Sequence, residues 1–301
     1  MIKPAFSTVA CPAWPLDVIA PKCKQWGFPA IELRTFGESS TQFACDPALT
    51  SPEKLRRLFA AAGTRIASLA TSIGFDEPIF PPVIGNAISD NDGTIRAAKR
   101  AIDLAIALEC PLVRVFGFEI QHAEPRKAAV ARIVSRLKKV VDHAHRTGVR
   151  VTIENGGSFP TSAELIELID AVQSPLLGAC YNVAVAHNAG EIPAAGVGLL
   201  GDRLLNLRIK DLKGGQPVPL GEGEVPWAAA VRAVTQTAAE ETLVFEWDAA
   251  WFPNLPSADT IMPASARLIM SEVLQGKLPA GTSGAVSAAP QGNARSHAGA
   301  H

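Results

Sequence analysis

The sequence predicts a single (β/α)8 TIM barrel: eight parallel strands closed into a ring and wrapped by helices. Short apolar runs alternate with helical stripes eight times across residues 1–275, and this alternation is the pattern of a parallel sheet covered by helices. The runs are apolar on both faces, as strands buried on both sides must be. The repeating unit is plainest in Leu205–Trp227, LNLRIKDLKGGQPVPLGEGEVPW. There an alternating strand ends in a charged set, passes through a glycine and proline loop, and restarts as a helix at Pro226.

In chain order, Ala5–Ala10 is the first expected strand, followed by the loop Cys11–Pro15 and a helix over about Leu16–Trp26 that Gly27 stops. The second strand is Ala30–Arg34, and a loop of about fifteen residues follows it, long enough to shape a pocket. Ser51 as cap and Pro52 at the first helical position start the next helix, which Gly63 ends. Arg65–Thr71 is the third strand, and a second long loop, Ser72–Ser89, carries Phe75, Pro78, Phe80, Pro81 and Pro82 over the same mouth.

Ile95, Ala98, Ile102, Ala105 and Ile106 form a helical stripe, and Leu112–Phe116 is the fourth strand. Pro125 opens the clearest helix, with Val130, Ile133, Val134, Leu137, Val140, Val141 and Ala144 as its inner face and Gly148 after its end. Val149–Glu154 is the fifth strand, turned by Asn155, Gly156 and Gly157. Thr161 and Glu164 form a capping box for the helix buried through Leu165, Leu168, Ile169 and Val172. Leu176–Asn182, a helix at Ala195–Leu204, Leu205–Lys210, a helix at Pro226–Thr237, Leu243–Glu246 and a helix at Asp259–Leu274 complete the ring. From Gly276 to His301 the chain is rich in Gly, Ala, Ser and Pro, which predicts a disordered tail.

A doubly wound open sheet has the same alternation. It is disfavoured because Cys11, Pro12, Ala13 and Trp14 stand where a dinucleotide fingerprint needs glycines. Among 301 residues 48% are hydrophobic and 19% charged, with formal net charge −1, so no basic nucleic-acid face is expected. Five scattered cysteines (Cys11, Cys23, Cys45, Cys110, Cys180) show neither CxxC nor zinc spacing, which suits free thiols in a reducing compartment. No apolar run reaches the roughly 18 residues of a membrane helix, and no signal peptide is read at the start. The expectation is a cytoplasmic protein without membrane contact.

Catalytic groups of such barrels stand at the carboxyl ends of strands. Those ends offer Trp14, Glu32 and Arg34, Glu119 and His122, Glu154, Asn182 with His187, Arg208 and Lys210, then Glu246, Trp247 and Asp248. A carboxylate closing an apolar run costs several kcal/mol unless it gains a cation, hydrogen bonds or a proton. Arg208 and Lys210 are the expected cations for Glu154 and Glu246. The plainer reading of the same residues is a buried ion-pair network without catalysis. Glu32 and Arg34 share a face and are expected to pair with each other. His143 and His145 lie on a charged helix face, and Gly221, Glu222 and Gly223 are expected to shape a loop only. Trp14, Trp247 and Trp251 could stack on a sugar ring or fill the mouth.

The sequence resembles the xylose-isomerase-like barrel superfamily, which includes sugar phosphate isomerases and epimerases. GFPAIELR (Gly27–Arg34), VTIENGG (Val151–Gly157), NAGE (Asn188–Glu191), RIKD followed by PLGEGEVPW (Pro219–Trp227), and FEWD (Phe245–Asp248) carry the resemblance. It implies two glutamates, Glu154 and Glu246, that move a proton next to a carbonyl through an enediolate. Arg208, Lys210, Asn182, Trp14, His187 and Trp247 are then expected to bind the substrate, a small sugar or keto-polyol. A dehydratase acting on a cyclic polyol and a non-catalytic sugar-binding barrel are the alternatives.

The resemblance also implies a divalent ion, Mn²⁺ or Mg²⁺, held by Glu, Asp, His and Glu after strands five to eight. Here Asn182 and Arg208 replace the Asp and the His, and Val185 stands at a further histidine position. An arginine cannot ligate a metal. No cofactor is therefore expected; any ion that did bind would have Glu154, Asn182 and Glu246 as donors. A DNA-repair endonuclease of this superfamily needs a histidine-rich three-metal cluster, which His122, His143, His145 and His187 do not supply. A homo-oligomer is compatible with the sequence.

Overall fold

In a computed structural model, residues 2–76, 93–121, 124–237 and 242–277 are described. Strands β1 (Lys3–Ser7), β2 (Ala30–Arg34), β3 (Arg65–Gly74), β4 (Leu112–Phe116), β5 (Arg150–Glu154), β6 (Leu177–Asn182) and β7 (Leu204–Ile209) are joined by β10 (Thr242–Phe245) as the eighth stave. They close in the order β1-β10-β7-β6-β5-β4-β3-β2. All eight pairings are parallel, and β1 closes the ring with Lys3 opposite Thr242 and Phe6 opposite Phe245. Every residue of β2, β6, β7 and β10 is buried. That explains why these strands read as continuous apolar runs.

Helices α1 (Leu16–Trp26), α2 (Pro52–Ala61), α3 (Gly93–Ala107), α4 (Arg126–His143), α5 (Ser162–Val172), α6 (Val183–Asn188), α7 (Pro193–Leu200), α8 (Trp227–Thr235) and α9 (Ala258–Gly276) form the outer layer. The stripe read on α4 is its buried face: Ile133, Leu137 and Val140 are fully covered, each worth about 1.5–3 kcal/mol. Gly27 ends α1 in the left-handed region, and the Thr161 and Glu164 capping box opens α5. None of the described helices is long and apolar enough to cross a membrane.

Side chains two apart share a strand face, which stacks the interior in layers. Ala5, Ala30, Ala67 and Val244 form a small apolar cluster of their own. Two residues further along each of three strands stand Ser7, Glu32 and Glu246. A charged layer therefore rests on an apolar floor, where water cannot share the work of solvating it.

Several boundaries differ from expectation. The first strand stops at Ser7, and Thr8–Ala10 turns as a 3₁₀ helix. The third strand runs on to Gly74. The single helix expected at Ala195–Leu204 is two helices beginning at Val183, and Leu204 already belongs to β7. The Asn182 side chain accepts a hydrogen bond from Val185 N and so starts α6 directly on the strand end. The loop after the seventh strand holds a hairpin, β8 (Asp211–Lys213) with β9 (Gln216–Val218). Gly214 and Gly215, both at positive φ, make its two-residue turn. Phe75 of the second long loop is buried, whereas Pro78, Phe80, Pro81, Pro82 and His122 lie outside the described residues. The last helix reaches Gly276, and the remainder of the expected tail, residues 278–301, also lies outside them.

Candidate active site

Arg208 stands at the hub of the charged layer, 1% exposed. Its Nη2 lies 2.7 Å from Glu32 Oε1 and 2.8 Å from Glu32 Oε2, and its Nη1 donates to Glu246 Oε2. Its Nε is 3.3 Å from Glu154 Oε2 without a hydrogen bond. Three carboxylates from β2, β5 and the end of β10 thus surround one guanidinium. Burial opposes its charge, but Glu32 and Glu154 outweigh burial and hold its pKa above the ordinary arginine value. The same balance holds Glu32 below the usual carboxylate range, where the opposing contributions come from Arg208 and then Arg114.

Glu154 is bound on every side. Arg114 Nη1 reaches its Oε2 at 2.5 Å, Asn182 Nδ2 donates to its Oε1 at 2.9 Å, and Cys180 Sγ stands 3.8 Å from Oε2. Burial alone would raise its pKa, yet Arg114 and Arg208 bring it down to about 2. Burial followed by the Glu154 charge raises the Cys180 thiol instead, which keeps it protonated. Asn182 does not present a carbonyl oxygen to the centre: its amide nitrogen faces Glu154 and its Oδ1 caps α6.

Lys210 and Glu246 form the accessible rim. Lys210 Nζ lies 2.9 Å from Glu246 Oε1, and their side chains are 17% and 11% exposed. The same ammonium reaches Asp248 Oδ2 at 2.8 Å, while Asp248 Oδ1 is buried with no hydrogen-bond partner among the described residues. Behind them Asp211 anchors the following loop: its carboxylate accepts backbone N–H bonds from Leu212, Gly221, Gly223 and Val225.

Other expected site residues lie elsewhere. Trp247 is fully buried, and its Nε1 donates to Pro256 O at 2.9 Å, so it braces the loop and has no free face for a substrate. Trp14 packs against Trp26, 6.0 Å between ring centroids, with Lys22 Nζ 5.8 Å over its ring, on the α1 side. His187 is partly exposed on α6 and makes no side-chain hydrogen bond or ion pair among the described residues. Of the three tryptophans, Trp251 is the one left half exposed, near Phe36 and Phe43.

Glu32 does not pair with Arg34; it takes Arg208 and the Ser68 hydroxyl, 2.7 Å away. Arg34 turns to Thr71 O and Ser72 Oγ. Arg114 was not singled out by sequence, although a lone arginine inside the apolar strand LVRVF is a usable signal, because such a charge is kept only with a partner.

These side chains do not fit the divalent ion that the resemblance implies. The space between the carboxylates holds a guanidinium, and Asn182 turns its donor nitrogen inward. Among the described residues no group of three or more His, Cys, Asp or Glu is arranged to hold an ion.

A comparison with curated proteins gives no match. Solved structures of the same fold are numerous. An L-ribulose 3-epimerase shares 16% identity at TM-score 0.75, covering 92% of this chain and 96% of that one. A probable 3-DHS dehydratase, AsbF, from Bacillus anthracis shares 16% at 0.71, covering 89% and 98%. A fusion of a xylose isomerase-like TIM barrel with 4-hydroxyphenylpyruvate dioxygenase shares 18% at 0.73; 91% of this chain spans 43% of the fusion. At these identities the likeness establishes the fold alone. The family model described as xylose isomerase-like TIM barrel matches residues 20–270, and with the closed eight-stranded ring it places this chain in that family.

Proposed function

We propose that the protein is an isomerase- or epimerase-type enzyme that moves a proton on the carbon beside a carbonyl of a small polyhydroxylated substrate. The observation that carries this reading is the Lys210–Glu246 pair, 2.9 Å apart on the partly exposed rim above Arg208. A carboxylate that can take a proton stands beside an ammonium that can hold the enediolate oxygen. Arg208 beneath fixes Glu246 in place, so the rim is organised before substrate arrives. Fixed cations thereby supply part of the electrostatic stabilisation for which the family's metal site would otherwise serve.

The two glutamates have unequal parts in this scheme. Glu154, with a pKa near 2 and its two oxygens engaged by Arg114 and Asn182, is a weak base at neutral pH. We assign it the positioning of Arg114 and Arg208, and we assign proton removal to Glu246. One accessible carboxylate suits proton transfer on a single face of the enediolate, as in isomerisation. Inversion at one carbon needs a second proton carrier on the opposite face.

A dehydratase reading has an observation of its own. Lys210 also touches Asp248, 2.8 Å away, so an ammonium fixed between two carboxylates can hydrogen-bond a hydroxyl leaving the next carbon. Glu246 then returns to that hydroxyl the proton taken from the carbon beside the carbonyl, releasing water. One solved neighbour is named a probable dehydratase.

Proton NMR in deuterated water tests the scheme on ketoses and hydroxylated keto acids. The wild type is expected to wash deuterium into the carbon beside the carbonyl, and Glu246→Gln to slow this by about 10²-fold or more. No protein-dependent exchange across the panel would leave a binding barrel in place of an enzyme.

A further inference from the structure

The following inference rests on the proton-transfer reading of Glu246 and Lys210 given above. Arg34 ends β2 at the barrel mouth, 8% exposed. Its Nη1 donates to the Thr71 carbonyl and its Nη2 to Ser72 Oγ at 2.6 Å. Its Nε makes no hydrogen bond among the described residues. Arg114, Arg208 and Lys210 each touch a carboxylate, and among the described residues Arg34 touches none. Arg114 Nη2 also reaches the Thr71 carbonyl, 2.9 Å away, so two guanidinium groups share one neutral oxygen. Burial, and then the charges of Arg114 and Arg208, pull the Arg34 pKa down to about 9, against the weaker support of Glu32 and Glu154. A desolvated cation among like charges is short of an anion.

Aromatic rings stand beside it. Arg34 Cζ lies 5.7 Å from the Phe36 ring, Phe36 stacks on Phe43 at 3.9 Å, and Trp251 is 5.9 Å from Phe36. Trp251 follows β10 and Phe36 follows β2, with β1 alone between those strands. Strands two places apart are separated by about 10 Å. Phe36 and Trp251 thus form an aromatic wall along the mouth between the end of β2, which carries Arg34, and the end of β10, which leads into Glu246.

We propose that Arg34, with Ser72 Oγ beside it, is a carboxylate subsite, and that the substrate is a carboxylated cyclic polyol bearing a carbonyl rather than a neutral ketose. The guanidinium fork matches a carboxylate in two parallel hydrogen bonds, and one fork balances its single charge. The subsite orients the molecule so that the carbon to be deprotonated meets Glu246.

Ligand-observed NMR titrations test this with shikimate, a cyclic hydroxy acid, its methyl ester, and a hexulose 6-phosphate. The wild type is expected to bind shikimate at least about tenfold more tightly than the ester. Arg34→Gln is expected to bind acid and ester alike, Arg34→Lys to recover part of the preference, and Glu246→Gln to keep all of it. If Arg34→Gln does not fold by circular dichroism, the reduced preference of Arg34→Lys decides. Equal binding of acid and ester by the wild type, a preference untouched in the folded Arg34 variants, or no binding of shikimate overturns the proposal. Tighter Arg34-dependent binding of the hexulose phosphate overturns it in favour of a phosphate site. A Glu246→Gln protein that still exchanges deuterium removes the proton-transfer reading and leaves the subsite standing, so the two failures are separable.

Discussion

Arg208 and Glu32, 176 residues apart in sequence, meet through a single guanidinium nitrogen that bonds both oxygens of the carboxylate, at 2.7 and 2.8 Å. The pair is buried, and Arg208 is the ion-pair partner of Glu32 among the described residues, whereas Glu154 also has Arg114. Removing Arg208 leaves Glu32 without an ion-pair partner and Glu154 with Arg114 alone, over an apolar floor. Arg208→Met is expected to lower stability by about 3–5 kcal/mol, read from urea unfolding. Adding Glu32→Leu is expected to recover a large share of that loss. A single variant as stable as the wild type would show that the network contributes nothing to the fold.

Acid sensitivity follows from Glu154. Its folded pKa, about 2, lies below its ordinary value of 4.5. A depressed carboxylate adds stability above the ordinary pKa, and that stability is lost as pH falls toward the folded one. The shift is worth on the order of 3 kcal/mol, and the depressed Glu32 acts with the same sign. Unfolding free energy should therefore decline between about pH 5 and pH 2. Glu154→Gln should flatten that slope, and identical slopes in the two proteins would contradict the assignment.

On the rim, Lys210→Met removes the ammonium that bonds Glu246 and Asp248. The expected result is a loss of exchange rate of about 10²–10³-fold with the fold intact. An unchanged rate would take Lys210 out of the chemistry.

Divalent metal offers another check. Isothermal titration with Mn²⁺ is expected to give no stoichiometric binding, because Arg208 occupies the space between the carboxylates. Arg208→His is the informative partner, since it replaces the fixed cation with an imidazole able to ligate a metal. Tight binding by the wild type that Glu154→Gln abolishes would reverse the account of the centre.

The loop behind the rim hangs on Asp211, whose carboxylate takes four backbone N–H groups. Asp211→Ala is expected to cost about 1–3 kcal/mol or more. It should also speed hydrogen exchange at Leu212, Gly221, Gly223 and Val225 specifically. Exchange that stays slow at those amides would mean that the hairpin holds the loop unaided.

Much of this architecture was legible because it is written in short-range rules. The Thr161 capping box, the stop at Gly27 and the stripe of α4 each depend on residues within a few positions, and the structure has them where the residues imply. The interior placement of Glu32, Arg34, Arg208 and Lys210 was also readable, since strand alternation settles which face a side chain takes. The start of α6 directly on the strand end was not readable, because it turns on the Asn182 side chain accepting from Val185 N.

By itself the sequence determined the ring of strands, its order, and the set of charged residues at the carboxyl ends. Which charges meet was decided only by closure. Pairing of β1 with β10 brings β2 within reach of β7, and a desolvated carboxylate takes the cation that can surround it, not the one nearest along the chain. Glu32 therefore binds Arg208, Arg34 is left with neutral partners at the mouth, and Trp247 is packed away while Trp251 stays exposed. Local spacing sets the direction of a side chain; its partner depends on distances that exist once the barrel has closed.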